Sequence, residues 1–302
     1  MRRKRRKAVQ APWTDRPDCR IPLPSGRTLD AGPRPLVMGI LNVTPDSFSD
    51  GGRYDDPARA AARALELRAE GADIIDVGGE STRPGSEAVP AEEERRRVVP
   101  VIAEIAAQMD IPVSVDTQKA EVAEAALDAG AEMLNDVSAL RSDLGMAGLA
   151  ARRGVPVVLM HMQGTPRTMQ ENPTYDDVVA DVAAWLRERV RHATAAGIRP
   201  ESIIVDPGFG FGKTPQHNME LLRRLHELHE LGYPILIGTS RKSTLGAILD
   251  AGVDDRLHAT LATVAAAVLA GCQIVRCHDV KPAVEVVKVC EAIRRGMEYQ
   301  HA

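Results

Sequence analysis

The residues able to do chemistry in this chain recur at one kind of position. Asn42 follows the apolar run Leu36–Leu41, and Gly78-Gly79-Glu80 follows Asp73–Val77. Asp116 ends the run from Pro112, Asn135-Asp136 ends the run from Glu132, His161 follows Val155–Met160, and Asp206 ends the run from Ser202. Thr239-Ser240 follows Pro234–Gly238, and Arg276-Cys277-His278 closes the run from Gln273. Their types suggest a purpose. A carboxylate accepts two hydrogen bonds from an amino-amidine edge as it does from Arg, while an amide both donates and accepts. Asp116, Asn135 and Asp206 around one cavity would suit a flat heterocycle that carries donors. Lys242 and Arg276 add fixed positive charge, Arg276 with the planar fork that grips phosphate, and His278 could bind or protonate such an anion. A metal is the other use of this set, but Asp and Asn without clustered His favour only Mg²⁺ or Ca²⁺. Any one of these residues alone could be no more than a helix N-cap.

Bringing them together is the task of the segments between. Leu36–Leu41 reads as a buried strand. The loop after it gathers Asn42, Thr44, Asp46, Ser47, Ser49 and Asp50, with Phe48 in its middle and Pro45 and Gly51-Gly52 as turn residues. So polar a loop at a strand's end points to function. Asp56-Pro57 starts a helix as N-cap and first-position proline. Amphipathic helices are predicted over 58–70, 92–108, 119–129, 144–153, 176–196, 216–231 and 280–295, with a split helical region over 241–249 and 256–270. Eight strands alternating with helices predict a parallel sheet, most simply a single (β/α)₈ TIM barrel over 34–296, with a doubly wound open sheet as the alternative. In a barrel the C-terminal ends of the strands converge on one face, where active sites of this fold lie. Residues 1–33 form a basic N-terminal extension; 8–33 are expected to pack on the outside, with Ser25-Gly26 as a hairpin turn.

Several simpler assignments fail on spacing. Asp206-Pro-Gly-Phe-Gly-Phe-Gly-Lys-Thr214 is no P-loop, because Pro207 stands where that motif needs its first glycine. Its glycines around Phe209 and Phe211 suggest instead a mobile flap over a planar ligand. Ser240 is followed by Arg241-Lys242, which excludes a nucleophile elbow. The helix start after Thr239-Ser240-Arg241-Lys242-Ser243 favours an anion, next to the usual phosphate corner of barrels. His161, His217 and His258 read as structural or peripheral.

Composition narrows the class. The 302 residues are 44% hydrophobic and 26% charged, ordinary for a globular protein. Aromatics at 3% argue against base stacking, and so against nucleic acid as a partner. The net charge of −4 includes +6 from Arg2–Lys7, which leaves −10 for the rest. An anion must therefore be held by a local basic cluster, and the basic tail reads as a solvated terminus. Four cysteines without a Cys-x-x-Cys pair fit a reducing cytoplasm. No apolar run is long enough to span a membrane.

Ile40-Leu41-Asn42-Val43-Thr44-Pro45-Asp46-Ser47-Phe48-Ser49-Asp50-Gly51-Gly52 resembles the first signature of dihydropteroate synthases, and Gly78-Gly79-Glu80-Ser81-Thr82-Arg83-Pro84-Gly85 the second. Asp206–Lys213, Ser240-Arg241-Lys242-Ser243 and Arg276-x-His278-Asp279 are similar to later blocks of that family. The resemblance implies a transferase of folate biosynthesis that joins 4-aminobenzoate to (7,8-dihydropterin-6-yl)methyl diphosphate, with Mg²⁺ assisting the leaving group. It implies a pterin pocket of Thr82, Asp116, Asn135, Asp206, Phe211 and Lys242. It places Asn42 on the metal and, with Arg276 and His278, on the diphosphate. Phe48, Arg83, Pro84, Phe211 and Ser243 would surround the aminobenzoate, and Asp50, Arg83, Lys242, Arg276 and His278 would carry the catalysis. It further implies a homodimer, and a site for aryl sulfonamides that mimic aminobenzoate. Thr244-Leu245 and the basic tail depart from the family pattern without touching the pocket. A pterin-binding methyltransferase is the rival enzyme, but it would not need the Thr82-Arg83-Pro84 loop or Arg276-x-His278. An inactive pterin-binding paralogue is the rival from another class.

Overall fold

The computed structural model describes residues 13–44, 57–82 and 85–295. The tail Arg2–Lys7 and the predicted site residues Phe48, Asp50, Arg83 and Pro84 lie outside them. The described chain begins with an antiparallel hairpin of β1 (Arg20–Pro22) and β2 (Thr28–Asp30). It turns at Ser25-Gly26, where Gly26 takes φ +86°, a left-handed conformation that costs glycine nothing. Then come β3 (Leu36–Asn42), β4 (Ile74–Gly78), β5 (Val113–Asp116), β6 (Met133–Asp136), β7 (Val157–Met160), β8 (Ile203–Asp206), β9 (Leu236–Ile237) and β10 (Ile274–Cys277). Among the described residues these eight pair in parallel in the order β8-β7-β6-β5-β4-β3-β10-β9. A parallel bridge between Val205 and Ile235 joins β8 to the start of β9, and Val205 N–H donates to the Pro234 carbonyl at 2.9 Å. The sheet is thereby closed into the expected barrel. The helices between are α1 (Pro57–Glu70), α2 (Ala91–Gln108), α3 (Ala120–Asp128), α4 (Leu144–Arg153), α5 (Val178–Ala195), α6 (Pro215–Arg223), α7 (Ser243–Leu249), α8 (Leu257–Leu269) and α9 (Val280–Arg295).

Side chains on a strand alternate between its faces, and here each face has its own core. Val37, Leu41, Ile75, Val77, Val113, Val115 and their equivalents pack outward under the helices. Leu36, Met38, Ile74, Met133, Val158, Ile204, Leu236 and Ile274 point into the barrel. With both faces buried, the strands read as nearly continuous apolar runs.

Two features differ from expectation. Residues 20–31 do not lie outside the core. Ile21, Leu23, Leu29 and Ala31 join the interior cluster, with Ile21 and Ala31 wholly buried. An open barrel end would leave the lowest interior layer wet, and burying Ile21 there is worth about 1.5–3 kcal/mol. Arg27 ties the hairpin to Glu132 at the foot of β6. The helix predicted over 216–231 ends at Arg223, and Leu225–Leu231 continues as a 3₁₀ helix. Its sequence, Leu-His-Glu-Leu-His-Glu-Leu, repeats every three residues. A 3₁₀ helix has three residues per turn, so it stacks all three leucines on one face, burying Leu225 and Leu228.

Candidate active site at the barrel mouth

The same alternation that fills the barrel also builds its mouth. Two residues beyond the interior Ile74 stands Asp76; beyond Met133, Asn135; beyond Ile204, Asp206; beyond Ile274, Arg276. Asp116 takes the equivalent place on β5, two residues past the buried Ser114. The inner wall thus changes from apolar to polar within one step of each strand.

Arg276 is the hub. Its Nε donates to Asp76 Oδ2 at 2.6 Å and its Nη2 to Asp116 Oδ2 at 2.8 Å. Asn135 Nδ2 donates to the same Asp76 oxygen at 3.0 Å. Gly78 lies between Asn42 and Asp116: a Cβ there would stand 3.8 Å from Asn42 Oδ1 and from Asp116 Oδ2. Burial drives the Asp116 carboxyl up, to about 7; Arg276 opposes this and Asp76 adds to it. Asp206 is 6% exposed, and its Oδ1 accepts from Gly208 N–H at 2.7 Å. Burial pushes its carboxyl up to about 6 against the pull of that N–H, Lys242 and Arg276.

The loop after β8 is pinned rather than poised as a flap. Gly210 N–H donates to Asn218 Oδ1 at 2.8 Å, Gln170 donates to the Gly210 carbonyl at 2.8 Å, and the Tyr175 hydroxyl to that of Gly212 at 2.6 Å. Lys213 Nζ turns back inside, donating to the carbonyls of Gly208 and Phe211 at 3.0 Å each and lying 2.9 Å from His161 Nδ1. Burial lowers Lys213 to about 7 and holds His161 neutral. Gly208, at φ +67°, sits against the backbone of His161; a Cβ would come within 1.8 Å of that carbonyl oxygen. Phe209, next along, is wholly buried in the core. Phe211 is the ring at the mouth, with Lys242 Nζ 4.0 Å above its centroid, a cation–π contact that fixes the ammonium.

Beside it lies a basic corner. Lys242 precedes α7, and Ser243 is that helix's first, exposed residue. Arg241 takes φ +55° and makes a two-point pair with Asp279 at 3.0 and 2.6 Å, joining the end of β9 to the start of α9. Ser240 Oγ lies 2.9 Å from His278 Nδ1 and accepts from the His278 N–H at 3.2 Å. Burial, then Arg276, holds the imidazole down at about 3. His278 is a neutral hydrogen-bonding partner here, not a second cation. Thr82 is half-buried at the end of the β4 loop, which Gly85 fastens to the Pro166 carbonyl at 3.4 Å.

The structure therefore gathers Asn42, Asp116, Asn135, Asp206, Phe211, Lys242, Arg276 and His278, with Thr82 on the loop after β4 and Ser243 at the start of α7. Sequence reasoning missed Asp76, wholly buried at the centre of the network. The signal was present, since a carboxylate inside an otherwise apolar parallel strand demands a partner. It also missed Lys213 and the Ser240–His278 contact.

Fold and mouth define a (β/α)₈ barrel whose open end carries a buried layer of carboxylates and an amide around an arginine, beside a basic corner. The family described as pterin binding enzyme matches residues 38–278. The chain is 49% identical over 273 residues to the dihydropteroate synthase of Escherichia coli strain K12, covering 90% of this chain and 96% of that one. The dihydropteroate synthase of Xanthomonas albilineans solved with 4-aminobenzoic acid superposes with a TM-score of 0.87 at 47% identity, covering 93% of this chain and all of that one. The same organism's enzyme in complex with 7,8-dihydropteroate superposes at 0.83 with 45% identity, covering 92% and 100%. The chain belongs to the dihydropteroate synthase family of pterin-binding enzymes, transferases of folate biosynthesis. The resemblance read from its motifs is borne out, and neither rival reading is favoured.

Proposed function

We propose that this protein condenses (7,8-dihydropterin-6-yl)methyl diphosphate with 4-aminobenzoate, giving 7,8-dihydropteroate and diphosphate, with the pterin in the polar layer of the barrel mouth. The observation that carries this is the wall itself: Asp116, Asn135 and Asp206 share the inward face with Arg276 among them. Asp206, ionised above about pH 6, accepts from the amino-amidine edge, and Lys242, steadied over Phe211, donates to the ring. Arg276 and His278 grip the diphosphate as charge builds on it. Positive charge left on the pterin methylene spreads into the ring, so the C–O bond breaks ahead of attack. The amine of 4-aminobenzoate has a free pair at neutral pH and needs no base. Arg83, Pro84, Phe48 and Ser243 are assigned to that substrate, with Asp50 and Arg83 among the catalytic groups.

The donor set fits Mg²⁺ arriving with its substrate. Among the described residues no three His, Cys, Asp or Glu side chains gather to hold an ion, and Mg²⁺ is commonly bound by one or two side chains plus substrate phosphates. The Asn42 amide oxygen would supply the protein's share, and the ion would neutralise charge on the leaving diphosphate. A homodimer is supported by apolar side chains left exposed, such as Ile248 and Leu249 on α7 and Val289 and Ile293 on α9. Cytoplasmic placement is supported by four free cysteines. Among the described residues no helix is long and apolar enough to cross a membrane. Diphosphate release tests the reading: it should require both the pterin diphosphate and 4-aminobenzoate. Release without the amine, or none with both, would refute it. Light scattering of the full chain tests the dimer.

A further inference from the structure

We propose that Asp76 is a positioning residue that fixes the polarity of the Asn135 amide, so that Asn135 meets the pterin with its carbonyl oxygen and reads a donor there. This rests on the placement of the pterin proposed above. An Asn side chain offers oxygen on one side and NH₂ on the other, and shape alone hardly distinguishes the two. The choice is made by its partner. Asp76 Oδ2 lies 2.6 Å from Arg276 Nε and 3.0 Å from the Asn135 amide. Arg has donors only and stays protonated, so Asp76 Oδ2 must act as an acceptor. An amide oxygen turned toward Oδ2 would set two acceptors against each other, so Asn135 must present its NH₂. Asp76 and Asn135 are both nearly inaccessible, at 0% and 3% exposure, so water cannot relieve the wrong orientation.

The same geometry explains why an acceptor is needed at position 76. One oxygen serves two donors on different strands, Arg276 on β10 and Asn135 on β6, which bond on neither side to each other. Asp76 is thus the joint that makes the anion side of the mouth and the heterocycle side one unit. It need not touch substrate to matter.

The test is a pair of substitutions at position 76 in the full-length protein, read by calorimetry with 6-hydroxymethyl-7,8-dihydropterin as the probe. Asp76→Leu removes the acceptor and leaves the Asn135 amide free to turn. It should weaken the pterin about tenfold or more, the scale of a buried polar group left unpaired. Asp76→Asn keeps an oxygen, which Arg276 Nε holds in the place of Oδ2, so it still accepts from Asn135. Its affinity should stay within about threefold of wild type. A purely structural Asp76 would move the melting temperature but leave pterin affinity alone. An Asp76→Asn protein as weak as Asp76→Leu overturns the inference, because its oxygen would then fail to fix Asn135. So does an Asp76→Leu protein that binds like wild type. If wild type itself does not bind the probe, the functional reading fails instead. The wild-type protein gives a second reading should a variant not fold. The ¹⁵N-labelled Asn135 NH₂ resonances should shift little when pterin is added, since they face Asp76. A large shift would overturn the inference.

Discussion

Replacing Asp206 by Asn should stabilise the protein while it destroys pterin binding, an opposition that no general damage could produce. In the unfolded chain an Asp carboxyl releases its proton near 3.8; in the fold Asp206 keeps it until about 6, because burial disfavours the charge. Between those values the folded state holds more protons than the unfolded, so stability falls as pH rises through that window. Above about pH 6 the whole cost is present. Two pH units at 1.36 kcal/mol each make it roughly 3 kcal/mol. An amide is never charged, and its oxygen can still accept from Gly208 N–H, now 2.7 Å from Asp206. At pH 7.5 and without ligand, Asp206→Asn should melt roughly 5 °C above wild type, given the unfolding entropy of a domain this size. The gain should vanish below about pH 4. Binding should go the other way. A single amide oxygen cannot replace two carboxylate oxygens on an amino-amidine edge, and losing one partner of a buried charged contact costs roughly 2–5 kcal/mol, or about 30- to 5,000-fold in affinity. Differential scanning calorimetry across pH and pterin titration of the same protein decide it. A variant that melts lower than wild type at pH 7.5, or binds pterin within about threefold of it, would refute the reasoning.

Wild-type pterin affinity should fall with acid below about pH 6, as Asp206 takes up a proton and loses an acceptor; a titration flat from pH 7.5 to 5 would contradict this. Arg276→Ala leaves Asp76 and Asp116 without their shared cation, so it should cost about 3–5 kcal/mol of stability, and pyrophosphate should no longer protect it in a thermal-shift assay. Gly208→Ala should lose about 4 kcal/mol or more, or yield no soluble protein, because its Cβ would strike the His161 carbonyl. Gly232→Ala, also left-handed at φ +77° but in open space, should lose only about 1–2 kcal/mol. Calorimetry on the free enzyme should detect no 4-aminobenzoate binding until diphosphate and Mg²⁺ are present, since an acid of about ten heavy atoms brings little binding energy of its own; micromolar binding to the free enzyme would refute this.

Much of this molecule was legible before its structure. The eight apolar runs, the helices between them and the polar residues at the strand ends follow from local pattern. The side-chain period of each element is set by the local backbone, about 3.6 residues in a helix and two in a strand. So Asp116, Asn135, Asp206 and Arg276 could be assigned to one face of a barrel from sequence alone. The Leu225–Leu231 repeat is equally visible in the sequence, but its three-residue spacing passes for an α-helix. The hairpin at 20–30 is legible as a turn, but its destination is not, since nothing local says that Ile21 fills a barrel end.

What the sequence determined by itself was which side chains of a strand share a face, because alternation along a strand is a property of adjacent residues. What only the tertiary structure decided was which of those side chains meet. Arg276 reaches Asp76 across 200 residues and Asp116 across 160, contacts that exist only because β10 pairs with β3 and the sheet closes. Burial is likewise a property of the closed barrel. It takes Asp206, Asp116, Lys213 and His278 away from their ordinary proton affinities, and no residue's own neighbours in the chain carry that information.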